Sequence, residues 1–223
     1  NKESILSDTF LNILNVNYKN FSFNNTIFNS INNFNFEITK QFKLKNIFLK
    51  SDISLNKAQY NVGNFFSDYF PIVNEEILLK DHRLKLEYKK NTLSIIGEGQ
   101  IKIERNFENI EYILKKNNDN LNIQSNLTLD GIKLKKLNFI KDFFPTANEQ
   151  LYLKNQKINI KYNNKNFLLS GDGEIKFDNE FENIKYYIST IDEKINFNLD
   201  LNLDNTNFEI DFLNYKKRKK KNT

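Results

Sequence analysis

The chain repeats itself at a fixed distance of 74 residues. Phe70-Pro71 returns as Phe144-Pro145, Gly97-Glu98-Gly99 as Gly171-Asp172-Gly173, and Phe107 as Phe181. Residues 68–112 align with 142–186 without a gap and give 17 identities in 45 positions. Both prolines of the chain and four of its six glycines fall on matched positions. A fixed period describes an array of like units, each completing its core against its neighbours.

Within the units the apolar residues alternate with polar ones. Leu84, Leu86 and Tyr88 match Ile158, Ile160 and Tyr162; Ile110 and Tyr112 match Ile184 and Tyr186. Ile195, Phe197, Leu199, Leu201 and Leu203 hold period two without a break, with Asn196, Asn198, Asp200 and Asn202 between them. Phe208, Ile210 and Phe212 follow in the same rhythm, and before the repeats so do Leu14, Val16 and Tyr18, Phe34, Phe36 and Ile38, Phe42 and Leu44, and Ile53 and Leu55. Such alternation writes strands with one apolar face, and no stretch keeps a helical period for about ten residues.

Turns are expected at Asn24-Asn25, Asn32-Asn33, Lys89-Lys90-Asn91, Asn117–Asn120 and Asp130-Gly131, because Asn, Asp and Gly tolerate the left-handed backbone. A short helical turn or bend is expected over Asn64–Tyr69, stopped by Pro71. Gly-x-Gly lies inside a strand with no helix after it, so it is no phosphate loop. Gly97, Gly99, Gly171 and Gly173 are instead expected where a strand bends or bulges, or where a neighbour comes close.

The fold class expected is therefore all-β: tandem antiparallel meanders of about five strands each, forming a curved, elongated sheet or groove with short helical turns. The divisions are 1–64, the end of a preceding unit; 65–138 and 139–215, two repeat units; and 216–223, a basic disordered tail.

Composition bounds the function. Hydrophobic residues make up 39% of 223, a thin core, yet 21 Phe and 10 Tyr are too many for a disordered chain. Of the net charge of +5, the run Lys216–Lys221 supplies six positive charges, which leaves the body at 5 − 6 = −1. A nearly neutral body lacks the basic face of a nucleic-acid binder, so no nucleic acid is expected as partner. The absence of Cys excludes disulfides, thiol nucleophiles and thiolate metal sites. The absence of Met, even at position 1, reads as a fragment or processed product, in which an upstream signal peptide or membrane anchor would not be visible.

No catalytic constellation emerges. His82, the single histidine, is matched by Gln156 and is expected exposed near a turn or strand start. Glu98, Asp172 and Glu174 flank the glycines, and Asp81, Asp130 and Asp142 fit turns. Nothing pairs a nucleophile with a base or spaces metal ligands, so no enzyme, metal or cofactor is expected. What the pattern does offer is a greasy face. Leu84, Leu86, Ile101, Ile158, Ile160, Ile175, Phe197, Leu199, Leu201 and Leu203 are expected to share one interior. That interior is either a packed core or the lining for acyl chains, where each CH₂ taken from water is worth about 0.8 kcal/mol.

The tandem all-β units, the aromatic-Pro bends at Tyr69-Phe70-Pro71 and Phe143-Phe144-Pro145, the Gly-x-Gly inside strands and the one-faced alternation resemble the AsmA-like envelope proteins, the superfamily of TamB and YhdP. Residues 68–112 and 142–186 carry the likeness. The resemblance implies a non-catalytic periplasmic β-groove in a Gram-negative envelope. It would be held by an N-terminal inner-membrane anchor outside this chain and would conduct phospholipid between the inner and outer membranes. The alternatives read from the residues are a structural or adhesive β-repeat scaffold that binds protein through edge strands, and a carbohydrate-processing β-solenoid enzyme, which would need paired acidic residues in a cleft with exposed aromatics.

Overall fold

The computed structural model describes residues 23–61, 76–103, 106–118, 120–135, 138–164, 166–191 and 194–218. Ten strands follow one another as β1 (Phe23–Ile38), β2 (Leu44–Asn61), β3 (Glu76–Lys89), β4 (Thr92–Lys102), β5 (Phe107–Asn117), β6 (Asn120–Lys135), β7 (Gln150–Asn163), β8 (Asn166–Lys176), β9 (Phe181–Ile191) and β10 (Lys194–Asn202). Each pairs antiparallel with the next, so spatial order equals chain order. The result is one curved sheet that does not close into a barrel. A six-residue helix, α1 (Asn138–Phe143), lies between β6 and β7. After β10 come two three-residue strands, β11 (Phe208–Ile210) and β12 (Tyr215–Lys217), joined through a 3-10 turn at Asp211–Leu213. The expected strands at Leu14–Tyr18 and the helical turn at Asn64–Tyr69 lie outside the described residues.

The sequence period is also a period of register. Gly97 faces Tyr112 and Gly171 faces Tyr186; Leu84 faces Gly97 and Ile158 faces Gly171; Leu55 faces His82 and Leu129 faces Gln156. Every one of these pairs moves by 74 residues into the next. The unit holds four strands, β3–β6 and then β7–β10, rather than about five.

The fifth strand was expected because Asp130-Gly131 looked like a hairpin. The residues are instead in the middle of β6, with Gly131 paired to Lys154. Their composition answers to the neighbouring strand. Lys154 and Lys157 of β7 face Glu174 and Asp172 of β8, so Asn155 and Gln156 together oppose Gly173, a two-against-one bulge. Asn155 takes φ 52°, the left-handed conformation that Asn and Asp tolerate best among side-chain-bearing residues. Asp130 comes level with this bulge, and Gly131 leaves room for the Tyr152 hydroxyl. The first unit repeats the device: Asp81, also at φ 52°, and His82 oppose Gly99. The bulge turns the strand by one residue, which is why the apolar rhythm jumps from Leu151 and Leu153 to Ile158 and Ile160.

Two further turn assignments and one strand assignment are corrected. Asn24-Asn25 and Asn32-Asn33 lie inside β1. There Asn32 bonds laterally, accepting the Ser51 hydroxyl of β2 and donating to Ser30 Oγ at 3.0 Å, so its side chain serves the sheet instead of a reversal. Phe42, expected in a strand, is in the β1–β2 turn at φ 57° and 89% exposed. The reversals at Lys90-Asn91 (φ 47° and 62°) and Asn118 (φ 50°) are where the sequence put them.

The core sits at one end of the second unit. Leu129, Ile132, Leu151, Leu153, Ile175 and Ile184 project from β6–β9 and meet Phe144, Ala147 and Phe177. Pro145 ends the helical turn, Asn148 N–H donates to Phe177 O at 2.7 Å, and its side chain donates to Asp178 O at 2.7 Å, which pins the segment over the sheet. Phe208 closes the cluster from the C-terminal side. Phe208, Ile210 and Phe212, expected as one strand, divide between β11 and the 3-10 turn. Lys216 and Lys217, expected in a disordered tail, belong to β12, and Lys216 pairs with Glu209 at 3.0 Å.

Candidate functional site: the apolar face of the sheet

Cross-strand partners point to the same side of a sheet, so register assigns faces. Leu84, Leu86, Ile101, Ile158, Ile160, Ile175, Phe197, Leu199 and Leu201 all fall on one face by this rule, and Leu203 continues it just past β10. Burial agrees: along β5 the residues alternate exposed and half-buried, Ile110, Tyr112 and Leu114 being the sheltered set. The expected residues are not equally placed. Leu86 and Ile175 are buried, Ile158 and Ile160 half-buried, and Ile195, Phe197 and Leu199 stand 73%, 59% and 40% exposed along the last strand. Leu201 and Leu203 pack against the core cluster, so the second unit's face is closed at that end.

The four glycines occupy the same face, and each accepts a neighbour's side chain. A Cβ on Gly97 would stand 2.5 Å from the Tyr112 ring, and one on Gly171 would strike Tyr186. Gly99 lies under His82 and Gly173 under Gln156. The expected bulges exist, but on the strands across from Gly99 and Gly173, whose own strands pair with β5 and β9 without a shift. Laid against the sheet and away from water, the Tyr112 and Tyr186 hydroxyls have their pKa pushed up to about 12 by burial, Asp172 adding to the effect at Tyr186.

His82 is the clearest correction. It is 2% exposed, not a surface residue. Its Nε2–H donates to the Gln100 carbonyl at 2.9 Å, and the Tyr112 hydroxyl lies 3.2 Å from Nδ1. Gln156 makes the matched bond to the Glu174 carbonyl, also at 2.9 Å, and is 1% exposed. Both residues therefore plug a bulge. Burial holds the His82 pKa below its ordinary 6.5, with the Gln100 bond and Asp81 opposing.

The neutral ring is the folded form, so its contribution is complete above pH 6.5. It is lost as pH falls from there toward the depressed value, by at most about 1.4 kcal/mol per pH unit of that interval. Urea midpoints at pH 7.5 and 5.5 should fall on acidification in the parent, and fall less in His82→Gln, which copies the second unit. An equal fall in both would show that His82 does not titrate on unfolding.

The opposite face is the more polar of the two, although Ile31, Ile96, Ile113 and Tyr187 stand exposed on it. Three open clefts lie on it, the roomiest lined by Asp52, Arg83, Lys85, Glu98, Glu111 and Gln124 among others. Glu98, Asp172 and Glu174 are on this side, by strand alternation opposite to the glycines. Phe107 there receives Lys80 and Lys102 at 5.4 and 5.9 Å from its ring centre, and Phe181 receives Lys154 and Lys176 at 5.4 and 5.6 Å. These are the same contacts moved by 74 residues. The sequence flagged Phe107 and Phe181 as matched, but not their lysines. Among the described residues no group of His, Cys, Asp or Glu could hold a metal ion, and no helix is long and apolar enough to cross a membrane.

Fold and face together define a class, an open β-sheet protein built from four-strand repeats with one apolar side. Comparison with protein-family models, curated proteins and solved structures gives no match.

Proposed function

We propose that the apolar face is a lining for acyl chains, and that the chain is a non-catalytic segment that shields and conducts phospholipid. The observation that carries this reading is the row of apolar residues held on one side of an open sheet from β2 to β10, ending in the exposed Ile195, Phe197 and Leu199. The row is half-buried or buried over most of its length and solvated along β10, and an apolar strip left open to water in this way is uncommon on a monomer without a partner for it. An extended row suits a flexible hydrocarbon chain, which gains by length of contact instead of by fit to one pocket. The likeness of the repeats to AsmA-like proteins points the same way and supplies the setting: a Gram-negative periplasm, an inner-membrane anchor elsewhere in the whole protein, and transfer between the two membranes. A structural scaffold is the second reading, favoured by the long outer edges of β1 and β10, which no described strand pairs.

The test introduces one charge on each face. Ile160 is half-buried on the apolar face, and Gln124 is exposed on the polar one. A photoactivatable phosphatidylethanolamine should crosslink to the parent chain and to Gln124→Asp, and several-fold less to Ile160→Asp, with thermal midpoints recorded for all three. No crosslink in the parent, or equal crosslinking in both variants, would leave the scaffold reading in its place.

A further inference from the structure

β10 is β6 one repeat later, so Ile195, Phe197 and Leu201 stand where Leu121, Ile123 and Leu127 stand. In β6 those positions are half-buried, with β7 paired along the far edge. In β10 no described strand takes that edge, and Ile195 and Phe197 are exposed. Native sheet edges are normally defended by charges, proline or a bulge. β10 has only Lys194 and Asp200 as charges in nine residues, no proline, and an unshifted register with β9.

We propose that a second copy of this chain covers this edge, with β10 pairing antiparallel to β10 of the partner copy about a two-fold axis at Phe197. A two-fold axis perpendicular to the sheet makes a strand antiparallel to itself and keeps the apolar faces on one side, and it closes after two copies. With Phe197 opposite Phe197, Ile195 meets Leu199, Asn196 meets Asn198, and Lys194 meets Asp200 twice. Apolar thus faces apolar, polar faces polar, and both charges find their opposite. An axis between two residues would set apolar positions against polar ones. An axis at Asn198 would set Lys194 against Asn202 and lose both ion pairs. The pairing joins two ten-strand sheets into one and stands independently of whether their apolar face carries lipid.

Because the chain has no cysteine, single-cysteine variants report cleanly. Directly opposed residues of an antiparallel pair lie about 4.5–5.5 Å apart at Cα, within disulfide reach. Under mild oxidation Phe197→Cys should form a covalent dimer. Ile31→Cys, on β1 and exposed 80%, should not at the same concentration. In sedimentation, Lys194→Asp should weaken the dimer at least tenfold, and adding Asp200→Lys should restore it. The proposal is overturned if the parent stays monomeric across the concentration range, if both cysteine variants crosslink alike, or if Lys194→Asp leaves the dimer unchanged.

Discussion

Phe144→Ala is expected to destabilise the protein by about 3–5 kcal/mol, the cost of emptying a large aromatic site in a packed cluster. Phe144 is 5% exposed, stacks on Phe177 with ring centres 4.0 Å apart and 8° between planes, and meets Phe208 at 5.2 Å. It joins three pieces of chain that no strand ladder connects: the α1 segment, the β8 end and the C-terminal hairpin. Its removal leaves a void that these cannot close together, because Pro145 and the Asn148 bonds hold the segment in place. Phe107→Ala is the comparison, since Phe107 is 39% exposed and its loss forfeits mainly two lysine contacts of about 0.5–1 kcal/mol each. Denaturant midpoints for the two variants decide the matter. Equal losses would mean that Phe144 does not seal the end of the sheet.

Gly171→Val should cost about 1–3 kcal/mol through overpacking, and the cost should depend on Tyr186. The backbone at Gly171 needs no left-handed conformation; what it needs is the absence of a side chain beneath the Tyr186 ring. Valine would lift that ring off the sheet and expose a surface that now keeps water from its hydroxyl. The measurement is a double-mutant cycle. If steric conflict is the cause, Gly171→Val should be markedly cheaper in a Tyr186→Ala background than in the parent. An additive result, with the full cost retained when the ring is gone, would place the reason for Gly171 elsewhere. The matched pair Gly97 and Tyr112 provides the same experiment one unit earlier.

Much of this architecture was legible. The interval between Gly97 and Gly171 gave the repeat, and alternation gave the faces, because a side-chain period of two leaves little freedom once one side is apolar. What was not legible came from residues whose chemistry serves two purposes. Asn and Asp favour turns, but Asp81 and Asn155 use the same backbone tolerance to bulge a strand without ending it, and Asn32 spends its amide on a lateral bond. The odd step from Leu153 to Ile158 was the available sign of the bulge. His82 was misplaced for the same reason: without the bulge it reads as the polar neighbour of a turn, and with it as the plug over Gly99. The C-terminal alternation of Phe208, Ile210 and Phe212 was lost to a capping contact that no local pattern encodes. There the Glu182 carboxylate, 3% exposed, accepts the N–H groups of Asp204 and Asn205 and turns the chain out of the sheet.

The constancy of register has a consequence for how such a molecule changes length. Because β2, β6 and β10 are one kind of strand seen three times, the neighbour that suits one suits all. Excising residues 76–149, one whole period, would bring β7 to β2 on the alignment that β3 now holds, with the bulge opposite Asn56 where it was opposite Asp130. A loss of any odd number of residues within a strand would instead turn its greasy side to water. The sheet can be lengthened or shortened in steps of four strands, much as a zipper is cut only between teeth, and lineages that vary its span would be expected to differ by whole steps.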